Sequence, residues 1–220
     1  PSKTVERMYP KFSPDGKEVA FIEDRIRLKV LNLETNKVRQ ITDGSTWYEL
    51  SGGFNYAWSP DGKWFTLEFI GNKHDPYTDI ALVSADGKGE LVNLTNSGYT
   101  SSSPKWTMDG NAILFTTERY GMRNHASWGS LDDVMMVFVN QDAYDKFRMS
   151  KEDYELQKEL EKEQEKAADK KDGKKEDKKE DKKEEADKVK DIVVELEGIQ
   201  DRIVRLTPNS SSIASAILSK

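Results

Sequence analysis

Phe12-Ser13-Pro14-Asp15-Gly16, Trp58-Ser59-Pro60-Asp61-Gly62 and Trp106-Thr107-Met108-Asp109-Gly110 are three copies of one motif. Their Asp positions lie 46 and 48 residues apart, close to the roughly 40–45 residues of a four-stranded propeller blade. Pro sets φ at the first corner of a turn, Asp bonds its own backbone and Gly accepts a positive φ, so each copy reads as a hairpin turn. The aromatic just ahead of it, Phe12, Trp58 or Trp106, occupies one equivalent place and is expected to pack between neighbouring units, since a single blade cannot bury both of its faces.

Strands are expected on both sides of each turn. Short innermost strands precede it at residues 8–12, 55–58 and 103–106. Runs rich in β-branched and aromatic residues follow: Val19-Ala20-Phe21-Ile22, Trp64-Phe65-Thr66-Leu67-Glu68-Phe69-Ile70 and Ala112-Ile113-Leu114-Phe115-Thr116-Thr117. Third strands are read at 28–33, 79–84 and 133–139, and fourth strands at 38–42 and 91–95. Four antiparallel strands per unit define an all-β fold, a partial propeller of about three blades over residues 1–139, with turn motifs at 12–16, 58–62 and 106–110. Propellers close with about four to eight blades, so three imply that the ring is completed elsewhere. Ser215-Ala216-Ile217-Leu218-Ser219-Lys220 aligns with Asn55-Tyr56-Ala57-Trp58-Ser59-Pro60, as the start of a further blade would.

The third unit delays its fourth strand by a charged insertion at 140–190. Residues 151–190 hold 14 Lys and 16 Asp or Glu. Ser150-Lys151-Glu152-Asp153 reads as a capping box, and Glu155/Lys158, Glu159/Lys162 and Glu163/Lys166 support a helix over about 150–168 that docks only through Tyr154, Leu156 and Leu160. Residues 169–185 are a Lys, Glu and Asp low-complexity run, a docking arm or an entropic spacer, whose composition does not offset ordering entropy. Residues 191–220 are read as a closing hairpin, Ile192-Val193-Val194-Glu195-Leu196 against 202–207, followed by the start of the next blade.

Outside the insertion, 20 Lys or Arg and 24 Asp or Glu are spread over 180 residues, the ordinary share for a globular domain. No single-sign basic field points to nucleic acid. No apolar run is long enough to cross a bilayer, so no membrane partner is expected. Without Cys there is neither a disulfide nor a thiolate metal site. His74 and His125 lack paired metal spacing, and no strained nucleophile turn joins His125, Ser127 and Asp132. The Asp-Gly pairs lack calcium-loop spacing and are read as turns. No catalytic, cofactor-binding or metal-binding residue is therefore assigned, and no cofactor. Trp47, Tyr48, Phe54 and Tyr56 in the long loop between the first two units are read as core packing before ligand contact, with Trp47 and Trp128 placed in loops. Asn93-Leu94-Thr95 and Asn209-Ser210-Ser211 match the glycosylation acceptor pattern, a match that arises often by chance.

The Phe/Trp-Ser-Pro-Asp-Gly repeat and its following strand resemble the TolB-like group of WD40-like propellers over about 140 residues. The same repeats occur in propellers joined to prolyl oligopeptidase-type hydrolases and to tricorn-type serine peptidases. The Lys/Glu-rich insert and the segment Leu196-Glu197-Gly198-Ile199-Gln200-Asp201-Arg202-Ile203-Val204-Arg205-Leu206 behind it resemble bacterial tricorn-like proteins near the middle of their propeller region. That resemblance implies a scaffold or substrate-access filter for a catalytic region outside this chain. It implies as partners the rest of the parent polypeptide, meaning the remaining blades with PDZ and peptidase regions, and peptides as candidate ligands. It also implies export to the periplasm of a bacterium, with the cytoplasm as alternative. The competing readings are a non-catalytic TolB-like interaction propeller and the propeller cap of a prolyl oligopeptidase-type hydrolase.

Overall fold

The computed structural model describes residues 4–47, 52–71, 76–123, 130–171 and 191–218, with backbone alone over 164–171. Twelve strands form three antiparallel sheets of four among the described residues. Blade one is β1 (Arg7–Phe12), β2 (Glu18–Glu23), β3 (Arg27–Asn32) and β4 (Val38–Gln40). Blade two is β5 (Tyr56–Trp58), β6 (Trp64–Phe69), β7 (Asp79–Ser84) and β8 (Val92–Asn93). Blade three is β9 (Ser101–Thr107), β10 (Ala112–Thr117), β11 (Asp133–Phe138) and β12 (Ile203–Arg205). Each sheet keeps chain order from its first strand to its fourth, the meander of a propeller blade.

The first two turns are copies in atomic detail. Ser13 Oγ donates to Asp15 Oδ1 at 2.6 Å and accepts from Glu18 N–H at 3.0 Å, while Asp15 accepts from Lys17 N–H at 3.1 Å. Ser59 and Asp61 repeat these bonds at 2.6, 2.9 and 3.1 Å, and Gly16 and Gly62 both sit at φ 70°. The third turn differs. Met108 and Asp109 adopt φ of 50° and 52° in a 3-10 turn, Met108–Gly110, closed by Asn111 N–H on the Met108 carbonyl at 3.0 Å. Proline cannot reach that φ, so the substitution of Met for Pro and the altered turn are one event.

Burial concentrates between sheets. Ala20, Ile22, Leu28 and Val30 of blade one pack against Tyr56, Phe65, Leu67 and Val83 of blade two. Ile80, Leu82 and Leu94 of blade two pack against Ile113, Phe115, Met135 and Val137 of blade three. Trp58 lies at the first junction and Trp106 at the second, both half-buried. Phe12 departs from the expected burial: it is 69% exposed, because blade one meets no neighbour on that side among the described residues. Trp47 lies in a loop as expected, and its ring takes the core-packing role, 5.5 Å from Phe54.

The insertion opens with a helix that its charge pattern does not announce. Asn140 accepts from Ala143 N–H at 2.9 Å and caps α1 (Gln141–Arg148), which rests on Phe138 through Tyr144 and Phe147 at 5.6 and 5.1 Å between rings. Ser150 then caps α2 (Lys151–Lys171) by accepting from Asp153 N–H at 3.1 Å. The expected docking of α2 through its first turns does not occur. Tyr154, Leu156 and Leu160 are 49%, 57% and 49% exposed, and α2 is tied to α1 by Lys146 and Glu161 at 3.1 Å.

The closing hairpin is corrected as well. Only Ile203–Arg205 adds a strand, pairing Met135 with Arg205 and Val137 with Ile203. Residues 192–196 instead form a strap across the ends of blades two and three. Ile192 N–H donates to Asp61 Oδ2 at 2.9 Å, Asp191 pairs with Lys63 at 2.6 Å, and Glu195 N–H donates to the Val139 carbonyl at 2.8 Å. The alternating Ile192 and Val194 face the second core rather than a strand partner. Arg202, 4% exposed, holds the strap by donating to the carbonyls of Phe138, Glu197 and Glu195. No helix among the described residues is long and apolar enough to cross a membrane.

Candidate functional site

In a meander the first-to-second and third-to-fourth strand connections share one end of the blade, and the remaining connections share the other. The Ser-Pro-Asp-Gly turns, the helices of the insertion and the strap therefore lie at a turn end. Residues 41–47, 52–55, 94–100, 118–123, 130–132 and 206–214 lie at the opposite loop end.

Two buried carboxylates shape the loop end. Asp79 opens β7 and accepts from Thr95 Oγ1 at 2.5 Å, Asn93 Nδ2 at 3.0 Å and Ser97 N–H at 3.1 Å. Asp133 opens β11 at the same blade position, is fully buried, and accepts from Thr207 Oγ1 at 2.7 Å, Ser210 Oγ at 2.8 Å and Arg205 Nε at 3.0 Å. Burial alone would raise the Asp133 carboxyl, but these hydrogen bonds and the Arg205 charge carry it below the ordinary range. Blade one has Arg27 at this position and keeps only the threonine, Thr42, whose Oγ1 accepts from Leu28 N–H at 2.9 Å.

Between the two carboxylate-held loops, at the junction of blades two and three, lies a cleft of about 350 Å³. Its apolar wall is Phe115, Met135 and Ile203, and its polar rim includes Ser97, Gln200, Arg119, Tyr120 and Arg205. The guanidinium carbons of Arg119 and Arg205 lie 5.4 and 5.3 Å from the centroid of the Tyr120 ring. Arg205 is paired with Asp133 at 2.8 Å, whereas Arg119 is exposed and enters no ion pair among the described residues. Directly before Arg119 and Asp133 on the same hairpin, burial raises the carboxyls of Glu118 and Asp132, with Asp132 adding to the first and Asp133 to the second.

At the inner strands, blades are tied by side chains reaching backbone. Lys11 Nζ bonds the Tyr56 carbonyl and lies 4.5 Å from the Tyr56 ring centroid, and burial lowers its pKa although Glu68 opposes this. Glu68 accepts from Asn55 N–H at 3.0 Å and from Ser103 N–H at 2.7 Å, joining blades two and three. Lys105, which stands where Lys11 does, bonds the Ala216 carbonyl at 3.2 Å and Ser215 Oγ at 3.1 Å. Residues 215–216 thus occupy the register of 55–56 against the preceding blade.

Of the residues singled out for chemistry, His74, His125 and Ser127 lie outside the described residues, as do Tyr48 and Trp128. Asp132 pairs backbone to backbone with Ser211. Phe54 and Tyr56 are buried, Tyr56 donating its hydroxyl to the Ala20 carbonyl at 3.0 Å with its pKa raised by burial. Asn93 spends its side chain on Asp79, Thr95 and Asn96, and Asn209 is exposed. Sequence reading missed Arg119, Tyr120 and Arg205. The available signal was the Arg119-Tyr120 pair directly after the second strand of blade three, where such a loop opens on the junction.

No protein-family model matches the chain. It is 28% identical over 120 residues to the uncharacterized peptidase YuxL of Bacillus subtilis, covering 49% of this chain and 16% of that protein. It is 31% identical over 117 residues to a tricorn protease homolog of Saccharolobus solfataricus, covering 53% of this chain and 10% of that protein. The crystal structure of the tricorn protease matches 94% of this chain and 17% of its own, with a TM-score of 0.56 at 9% identity, a likeness of fold. The chain therefore spans about a sixth or less of the length of these relatives. By fold it is a partial all-β propeller of three blades. In sequence it is similar to proteins named as peptidases and tricorn protease homologs, and in fold to the tricorn protease.

Proposed function

We propose that this chain is the scaffold and substrate-access segment of a tricorn-like peptidase, whose catalytic region lies outside it. The observation that carries this is the pairing of a partial propeller with relatives named as proteases and peptidases. The junction cleft adds to it, as a lined groove between blades two and three suited to holding a chain. The finer TolB-like and WD40-like character of the repeat, the PDZ and peptidase regions as partners, and an exported location are parts of the same proposal and rest on the repeat and insert. The natural reading frame that contains residues 1–220 is the material for the test. Expressed with and without them, it should hydrolyse short peptides in both forms and lose its discrimination between short peptides and folded proteins when they are removed. Unchanged discrimination would overturn the access role.

A further inference from the structure

We propose that the cleft between blades two and three recognises acidic side chains of an extended peptide, an assignment that rests on the peptide-handling role above. The charge balance of the cleft is the first argument. Tyr120 gathers two guanidiniums around one ring, Arg119 and Arg205. Both buried carboxylates that flank the cleft are already engaged, Asp133 by Arg205, Thr207 and Ser210 and Asp79 by Asn93, Thr95 and Ser97. Arg119 is left as an uncompensated cation at the rim, and Arg205 Nη1 donates to no group among the described residues. Guanidinium forks bind carboxylates through paired N–H donors, and a cation held on an aromatic face is oriented before its anion arrives.

The second argument is that the neighbouring donors are spent. Ser97 N–H serves Asp79, Ser97 Oγ serves the Tyr99 carbonyl, and Gln200 Nε2 serves the Asn93 carbonyl. An incoming anion is therefore met chiefly by the arginines, with the Tyr120 hydroxyl beside them. The third is the apolar wall of Phe115, Met135 and Ile203, which suits the methylenes of a Glu side chain or an apolar neighbour in its peptide. The cleft thus favours a carboxylate carried on a short aliphatic stem.

The test uses the full 220-residue chain and two fluorescent peptides, both acetylated and amidated, one with Glu at alternate positions and one with Gln in their place. Anisotropy titration is expected to show the Glu peptide binding about tenfold or more tightly than its Gln counterpart, with the preference shrinking as salt rises. Arg119→Ala should abolish most of that preference and Arg119→Lys should restore part of it. Arg119 is exposed, so circular dichroism should show both variants folded as the parent. Equal binding of the Glu and Gln peptides, or a preference untouched by Arg119→Ala, would overturn the proposal. So would a neutral peptide with a free C-terminal carboxylate binding as tightly as the blocked Glu peptide, which would remove the assignment to side chains. Equal binding of both blocked peptides would leave the peptide-handling role standing, so the two readings fail separately.

Discussion

The junction between blades one and two and the junction between blades two and three are made from the same repeat but sealed differently. At the first, blade one meets blade two directly: Arg39, paired with Glu18, donates to the Ala85 carbonyl at 2.8 Å, and Trp58 Nε1 donates to the Lys11 carbonyl at 3.2 Å. At the second, the strap that returns from the insertion is laid over the seam. Ile192 and Ile199 enter the core there, and Gln200 reaches back to the Asn93 carbonyl at 3.2 Å. Gly110 belongs to this arrangement, because a Cβ there would stand 2.3 Å from Ile192 Cδ1. An insertion in a blade thus does more than lengthen a loop: its return becomes part of the interface, and the turn beneath it changes shape to admit it.

The largest expected effect lies with the carboxylate that organises the loop end of the strapped junction. Asp133→Ala should destabilise by about 2–4 kcal/mol, since Thr207, Ser210 and Arg205 would all lose the buried carboxylate that accepts from them. The depressed carboxyl also sets a sign with pH. Its contribution is fully present above the unfolded value of about 4 and is lost as pH falls through the folded value. The stability gap between the parent and Asp133→Asn should therefore narrow on acidification, as read by urea unfolding at a series of pH values.

Next come the strap residues, which have no counterpart at the first junction. Ile199→Ala, at a site 4% exposed, should cost about 2–4 kcal/mol, and the half-buried Ile192→Ala less. Hydrogen exchange should show these losses as opening confined to blades two and three. Protection lost equally from blade one would mean that the strap does not act locally.

A finer comparison uses the two tryptophans. Trp58 Nε1 is hydrogen-bonded, whereas Trp106 Nε1 is buried without a partner among the described residues. Trp58→Phe should lose about 1 kcal/mol more than Trp106→Phe, because only the first gives up a bond. Trp47→Ala should approach Trp58→Ala in cost, both rings being half-buried against the first core. The smallest effect is expected from deleting residues 172–185, about 1 kcal/mol or less, since loop closure entropy grows only logarithmically with length.

The blades were legible because turn chemistry and strand periodicity are local. Ser13, Asp15 and Gly16 close a turn using atoms within five residues of one another, so the motif alone predicts the geometry. Strand order followed from the meander. What was not legible depended on contacts far apart in sequence. Residues 192–196 alternate as a strand does, yet their partners are Asp61 and Val139, and β12 takes the free edge of β11. The α1 helix was hidden because its cap, Asn140, and its anchors, Tyr144 and Phe147, are few among many charges. The cleft was missed for the same reason: Arg119 and Arg205 are 86 positions apart, and only Tyr120 brings them together.

The proposal that this propeller segment handles peptides without cleaving them is tested most directly by incubating the purified chain with a pool of unstructured peptides and following their masses. Every peptide is predicted to remain intact. Cleavage that persists through purification and is abolished by Ser127→Ala or His125→Ala would contradict the account.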